Sequence, residues 1–261
     1  MQCPACSGLK ANGTSTLKPE STVLRPDGTH ALHCREPGKG GLQGMTSTRH
    51  AHFKFTIVDV LKRYAPKTAV VHDFEPYPVD FGYALKATWR PSKGDEKPKR
   101  GDIAVTVNGV TTILDPVVSH PHAVADPRVA TTPCCAADVA HAKKVTLYNK
   151  TYDIPSGHMV PLSAETGGRL HPEFTCYVKD VISAGLAVRG AAETTWTPTM
   201  RVEFSSRYRS ALVAINLAIA RSVSYALLRG SSILARYARG ALFRAEPLRR
   251  PSLAEAPALY Y

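Results

Sequence analysis

The sequence predicts a mixed α/β domain built around a central hairpin. Three observations predict it. Asn108-Gly109 separates two runs rich in β-branched residues, 102–107 and 110–115. That dipeptide suits a two-residue type I′ turn, which needs positive φ at both positions. Apolar residues recur at helical spacing on both sides of the hairpin, and short apolar runs supply further strands. Helices and strands alternating in this way favour a sheet flanked by helices.

The elements follow in order. Residues 1–48 are rich in Gly, Pro, Ser, Thr and Cys and show no hydrophobic period, so they need a staple to fold. Residues 46–65 predict a helix: Thr46 or Ser47 caps it, Phe53, Ile57, Val58 and Leu61 share a face, and Pro66 ends it. A short buried strand is expected at 69–71 and another strand at 81–90. Residues 92–99 form a charged loop, and 119–134, with several Pro and His, an irregular insertion. A helix is expected over 136–152, with Ala140, Lys144 and Tyr148 on one face. A strand at 159–164 and a helix at 172–186 follow. Two apolar-faced helices, 203–228 and 231–243, are expected to break at Gly230, with Ser231 or Ser232 capping the second. The organisation expected is a zinc-binding segment over 1–48, a core over 49–186, basic C-terminal helices over 187–245 and a disordered tail over 246–261.

The hairpin carries two carboxylates. If 108 and 109 form the loop, Val107 faces Val110, and by the same count Asp102 faces Asp115. Their Cβ atoms would then lie ~5 Å apart. Like charges placed so repel, and a divalent metal between them is the usual remedy. Side chains alternate along a strand. Ile103, Val105, Val107, Val110 and Leu114 make a core face. Asp102, Ala104, Thr106, Thr111, Ile113 and Asp115 make the other, with both acids at one end.

The formal net charge of +12 and a pI near 9.5 favour a polyanionic partner. Between 189 and 250 eleven arginines face three glutamates and no lysine, so the basic charge is concentrated late in the chain. Met1-Gln2-Cys3 does not open a secretory signal, and the most apolar run, 211–220, is too short to span a bilayer. Six cysteines without a signal then suggest a reducing compartment and metal binding. Cys3 and Cys6 form a CxxC, and His30 and Cys34 supply an HxxxC after a gap of 23 residues. Two close pairs of this kind suit tetrahedral Zn²⁺. His33 is an alternative to His30. Cys134-Cys135 reads as loop and Cys176 as core.

Taken in order, these pieces resemble the C-terminal part of non-LTR retrotransposon polyproteins, in particular those with a restriction-like endonuclease after the reverse transcriptase. The matching residues are Cys3 and Cys6, the run 27–34 (DGTHALHC), Arg49-His50, Glu75-Pro76 and Arg100-Gly101-Asp102, with Asp115 after twelve intervening residues. Lys144 with Tyr148, Val160-Pro161, the run 165–168 (ETGG) and the helix over 211–229 complete the series. The resemblance covers about residues 3 to 240.

The resemblance implies a restriction-endonuclease-like PD-(D/E)XK fold: a mixed sheet flanked by helices, an N-terminal CCHC zinc segment and C-terminal helices. It implies cleavage of DNA with Mg²⁺. Asp102 and Asp115 match the two metal-binding acids, and Glu75 a preceding acidic position that adds a third carboxylate or orients a water. In the simplest version of the fold the lysine lies two residues after the second acid, where this chain has Val117. The resemblance moves it to the following helix, to Lys144, with Lys143 and Lys150 as rivals. Tyr148, one turn later, orients the lysine or touches a phosphate. Gly101 replaces the family's Pro, a tolerable change at a strand entry. The 165–168 run makes a turn and is not catalytic. The expected partner is DNA, with element RNA as a second, in the nucleus and away from membranes. The other readings are a catalytically inactive, zinc-containing nucleic-acid-binding remnant and a structural protein whose basic helices meet a partner. No reverse transcriptase domain fits within the chain.

Overall fold

The computed structural model describes residues 43–91, 97–121, 124, 126–187 and 196–238; side chains are described for these except 43–48, 130 and 229–238. The four zinc-ligand candidates Cys3, Cys6, His30 and Cys34, and the tail over 246–261, lie outside them. Two compact units divide the chain. Thr48–Ser224 carries the sheet and everything described below. The other unit comprises Met1–Ser47 and Tyr225–Tyr261, of which 43–47 and 225–238 are described as helical.

Helix α1 spans Gln43–Tyr64 and strand β1 Val70–His72. The hairpin follows as β2 (Ile103–Val107) and β3 (Val110–Ser119), then α2 (Cys135–Thr151), β4 (Met159–Glu165), α3 (Pro172–Ala187) and α4 (Pro198–Ala238). The four strands lie in the order β1-β2-β3-β4. The first two pairings are antiparallel and the last is parallel. A parallel neighbour needs a crossover, and α2 supplies it between β3 and β4.

The hairpin has the predicted register, from Val107↔Val110 to Ile103↔Leu114. Asn108 and Gly109 take φ of 49° and 79°, the left-handed pair a type I′ turn requires. Both faces of the hairpin are buried away from its turn, whereas Val110 beside the turn, expected in the core face, is 51% exposed. Ile103, Val105 and Leu114 join Val160, Leu162 and Ala164 of β4 in the main core, against Phe53, Ile57 and Leu61 of α1, Phe174 and Ile182 of α3, and Ala211, Ile215 and Ile219 of α4. Phe53 and Phe174 meet edge to face, with ring centroids 5.9 Å apart. Ala104 and Ile113, on the other face, pack with Tyr148 and Tyr152 of α2 in a smaller cluster. The domain is therefore a sheet with helices on both faces.

Four expectations change. Residues 81–90 do not form a strand. A 3₁₀ turn at Pro78–Phe81 ends in Gly82 at φ 86°, and the chain then follows the end of α2 through the Leu85–Tyr152 bridge and a Lys86 N–H to Thr151 carbonyl bond of 3.0 Å. The C-terminal helix does not break at Gly230 but runs unbroken as α4. A glycine inside a helix costs only about 1 kcal/mol, too little to end a long one. Cys176 is exposed, on the outer side of α3, and not in the core; Cys135, expected in a loop, opens α2 and is buried.

The apolar part of α4 is also longer than 211–220. Over Pro198–Leu228 an 18-residue window reaches mean hydropathy 1.7, so length and composition alone would let it cross a bilayer. Its buried residues Ala211, Ile215 and Ile219 recur at helical spacing and belong to the core described above.

Candidate active site

The candidate site lies where β2 stops and β3 continues. The last β2–β3 pair is Ile103↔Leu114, extended by one bond from the Asp102 N–H to the Leu114 carbonyl at 3.1 Å. Beyond it β3 keeps β4 as a neighbour as far as Ser119. On its other side comes the beginning of α1. Arg49 donates from Nη2 to the Val118 carbonyl at 3.4 Å, and His50 Nε2 lies 3.1 Å from Asp102 Oδ1. Asp115 is buried in the step so formed, 2% exposed, with the half-buried Asp102 beside it.

Lys144 supplies the positive charge. Its Nζ lies 2.9 Å and 2.7 Å from the two oxygens of Asp115. The arrangement follows from register on α2: Lys144 is one turn before Tyr148, whose ring is buried against the sheet. Lys143 and Lys150 are exposed, and of the three candidate lysines Lys144 is the one that pairs with Asp115. A carboxylate held from both oxygens by an ammonium is a charge-assisted, geometrically fixed pair.

Tyr148 does not reach outward to a phosphate. Its hydroxyl donates to the Arg100 carbonyl and touches Asp115, and burial pushes its pKa far up, so the phenol stays protonated. One turn later Tyr152 donates to the Lys99 carbonyl. Two tyrosines on one helix thus grip the segment entering β2 and set the height of Asp102. Gly101 fits this close approach: a Cβ there would stand 2.4 Å from Ile113 Cγ2, and the Gly101 N–H bonds the Pro76 carbonyl at 2.9 Å. Proline at 101 would meet the same methyl and lose that bond. The packing around position 101 therefore favours glycine.

Glu75 takes a left-handed φ of 58° in the loop after β1 and pairs with Arg100 at 3.3 Å. It is half exposed, and its described partner is this guanidinium rather than the acid pair. The run 165–168 makes the expected turn, closed by a Gly168 N–H to Glu165 carbonyl bond of 2.9 Å. Glu165 adds a contact that the sequence did not disclose. Its buried carboxylate accepts the Ala136 N–H at 3.0 Å, capping the helix that carries Lys144.

The electrostatics follow from burial. Desolvation pushes Asp115 up to about 6; Lys144 opposes the rise and the neighbouring Asp102 adds to it. Burial also works against the charged form of Asp102, but His50, Asp115 and Lys144 together hold its pKa below the ordinary value. The hydrogen bond to Asp102 raises His50, against burial. Of the two acids, Asp102 carries the charge more readily, and Asp115 remains short of positive charge even beside Lys144.

That shortage fits a divalent cation. Two hard carboxylates in contact, one of them hard to ionise, form a donor set for Mg²⁺. Among the described residues no three His, Cys, Asp or Glu side chains stand together as a metal-ligand group. The protein's share would then be Asp102 and Asp115, with water and substrate oxygens completing the shell, as Mg²⁺ commonly prefers.

His50 is the site residue that sequence reasoning did not assign a role. It appeared only as part of the Arg49-His50 pair, and its partner lies 52 positions away. No family model, curated protein or solved structure matches the chain.

Proposed function

We propose that the chain is a Mg²⁺-dependent endonuclease that hydrolyses a phosphodiester of DNA, the nicking domain of a retrotransposon-derived protein with a restriction-like fold. The observation that carries the reading is Lys144 held 2.7 Å and 2.9 Å from an Asp115 that itself touches Asp102. Two acids and an ammonium converging on one spot are the parts that phosphoryl chemistry needs.

Asp102 and Asp115 would hold Mg²⁺, which when bound activates water and offsets charge on the phosphate. Lys144 orients the attacking water and stabilises the charge that builds on the five-coordinate phosphorus. The water oxygen bonds to phosphorus and gives its proton to solvent as the opposite ester P–O bond breaks, and the departing oxygen takes a proton from solvent. His50 holds one oxygen of Asp102 and so orients that carboxylate. Tyr148 keeps the strand entry fixed. Arg201, Arg209 and Arg221, exposed on α4, supply backbone contacts that position DNA without reading its sequence. The N-terminal CCHC segment, with Zn²⁺ on Cys3, Cys6, His30 and Cys34, would add to that grip.

The test is supercoiled plasmid incubated with the full chain. Nicking in Mg²⁺ and binding without nicking in Ca²⁺ are expected. Binding without nicking in both would replace this reading with that of an inactive nucleic-acid-binding remnant.

A further inference from the structure

We propose that Glu75 occupies Arg100 in place of a DNA backbone phosphate and is displaced by it when DNA binds. The inference rests on the endonuclease reading above and gives that site its substrate clamp.

Arg100 is built to hold an anion near the acids. It stands two residues before Asp102, so the two Cα atoms lie within about 7 Å. Its backbone is fixed from two sides, by the Tyr148 hydroxyl on its carbonyl and by the Gly101 N–H on the Pro76 carbonyl. Its guanidinium lies over the Tyr77 ring, 5.6 Å from the centroid, which orients the plane without using its donors. What the guanidinium presents to solvent is a planar fork for carboxylate or phosphate.

Glu75 holds that fork loosely. A guanidinium nitrogen approaches a carboxylate oxygen at 3.3 Å, with both side chains half exposed. Pairs of this kind are screened by water and contribute little. Glu75 also stands at φ 58°, a conformation that a residue with a side chain seldom adopts. The strained backbone sets its carboxylate beside Arg100. A carboxylate there covers the guanidinium until a stronger anion arrives. A phosphodiester brings two oxygens to the fork and releases counterions from the DNA, whereas Glu75, half exposed, regains water when it leaves.

This role and that of a third metal-binding carboxylate predict opposite signs. Removing a competitor for Arg100 strengthens DNA binding, whereas removing a metal ligand weakens metal-dependent binding. The experiment is fluorescence anisotropy of a labelled DNA duplex with the full chain in Ca²⁺, over a range of salt, for wild type, Glu75→Gln, Arg100→Gln and the double variant. Thermal melts confirm that each variant folds.

Glu75→Gln is expected to tighten binding about threefold, the scale of one exposed ion pair. Arg100→Gln is expected to weaken it and to flatten the log–log salt slope by about one. Glu75→Gln should change nothing further once Arg100 is gone. Unchanged or weaker binding by Glu75→Gln, or an effect that persists in the Arg100→Gln background, overturns the inference while the endonuclease reading stands. A wild type that binds no DNA overturns both.

Discussion

Lys144 Nζ stands 2.7 Å and 2.9 Å from the two oxygens of Asp115, joining a helix to a strand across 29 positions of sequence. Val117, two residues after Asp115 on β3, brings no charge to that acid. The helical lysine reaches the same acid from the side. Lys144→Ala is expected to lower Mg²⁺-dependent cleavage about 10²- to 10³-fold, the scale of removing one donor to transition-state charge. DNA affinity should fall far less. Lys143→Ala and Lys150→Ala, both exposed, should stay within about twofold; single-turnover cleavage of a labelled duplex checks all three.

Asp115 gives a signed pH prediction. Its folded pKa, about 6, lies above the value of an unfolded aspartate. The folded state therefore binds the extra proton, and stability falls as pH rises from about 4 to about 6. Asp115→Asn removes that penalty. The variant should melt several degrees above wild type at pH 8, and the gain should vanish near pH 4. Its Mg²⁺-dependent cleavage should be lost, a trade of function for stability. Thermal melts across this range check the claim, and a variant less stable than wild type at pH 8 contradicts it.

His50 should act on the metal through Asp102. Groups that orient a ligating carboxylate typically affect metal affinity ~10- to 100-fold. His50→Ala is expected to weaken Mn²⁺ binding, measured calorimetrically, by that factor. His50→Gln, which can still donate to Asp102, should recover most of it. Equal affinities for wild type and His50→Ala would leave His50 without this role.

Gly101 is expected to tolerate nothing larger. Gly101→Ala sets a methyl 2.4 Å from Ile113 Cγ2 and should cost about 1–3 kcal/mol. Gly101→Pro should cost more, since it also removes the bond to Pro76. Urea unfolding at fixed pH reads both.

Much of this site was legible because it rests on local rules. Asn108-Gly109 fixes the hairpin register, and the register alone brings Asp102 opposite Asp115. The spacing of Lys144 and Tyr148 puts them on one helix face. The contacts that stayed hidden join distant elements. His50 reaches Asp102 only because β2 ends where β3 continues, and Glu165 reaches Ala136 across a helix terminus. Tyr148 was legible as a neighbour of Lys144 but not as a tether, because its partner is a backbone carbonyl. Residues 81–90 do not form the expected strand because Gly82 makes a left-handed turn after the 3₁₀ turn. Gly230 misled in the opposite sense: a helix of this length absorbs one glycine.

The most direct measurement is nicking of supercoiled plasmid in Mg²⁺ by wild type and by Asp102→Ala, at matched concentration. Conversion to open circle by wild type, reduced at least about 10²-fold in the variant, is the predicted result. Equal nicking by the two proteins would show that the acids of the hairpin do not cut DNA.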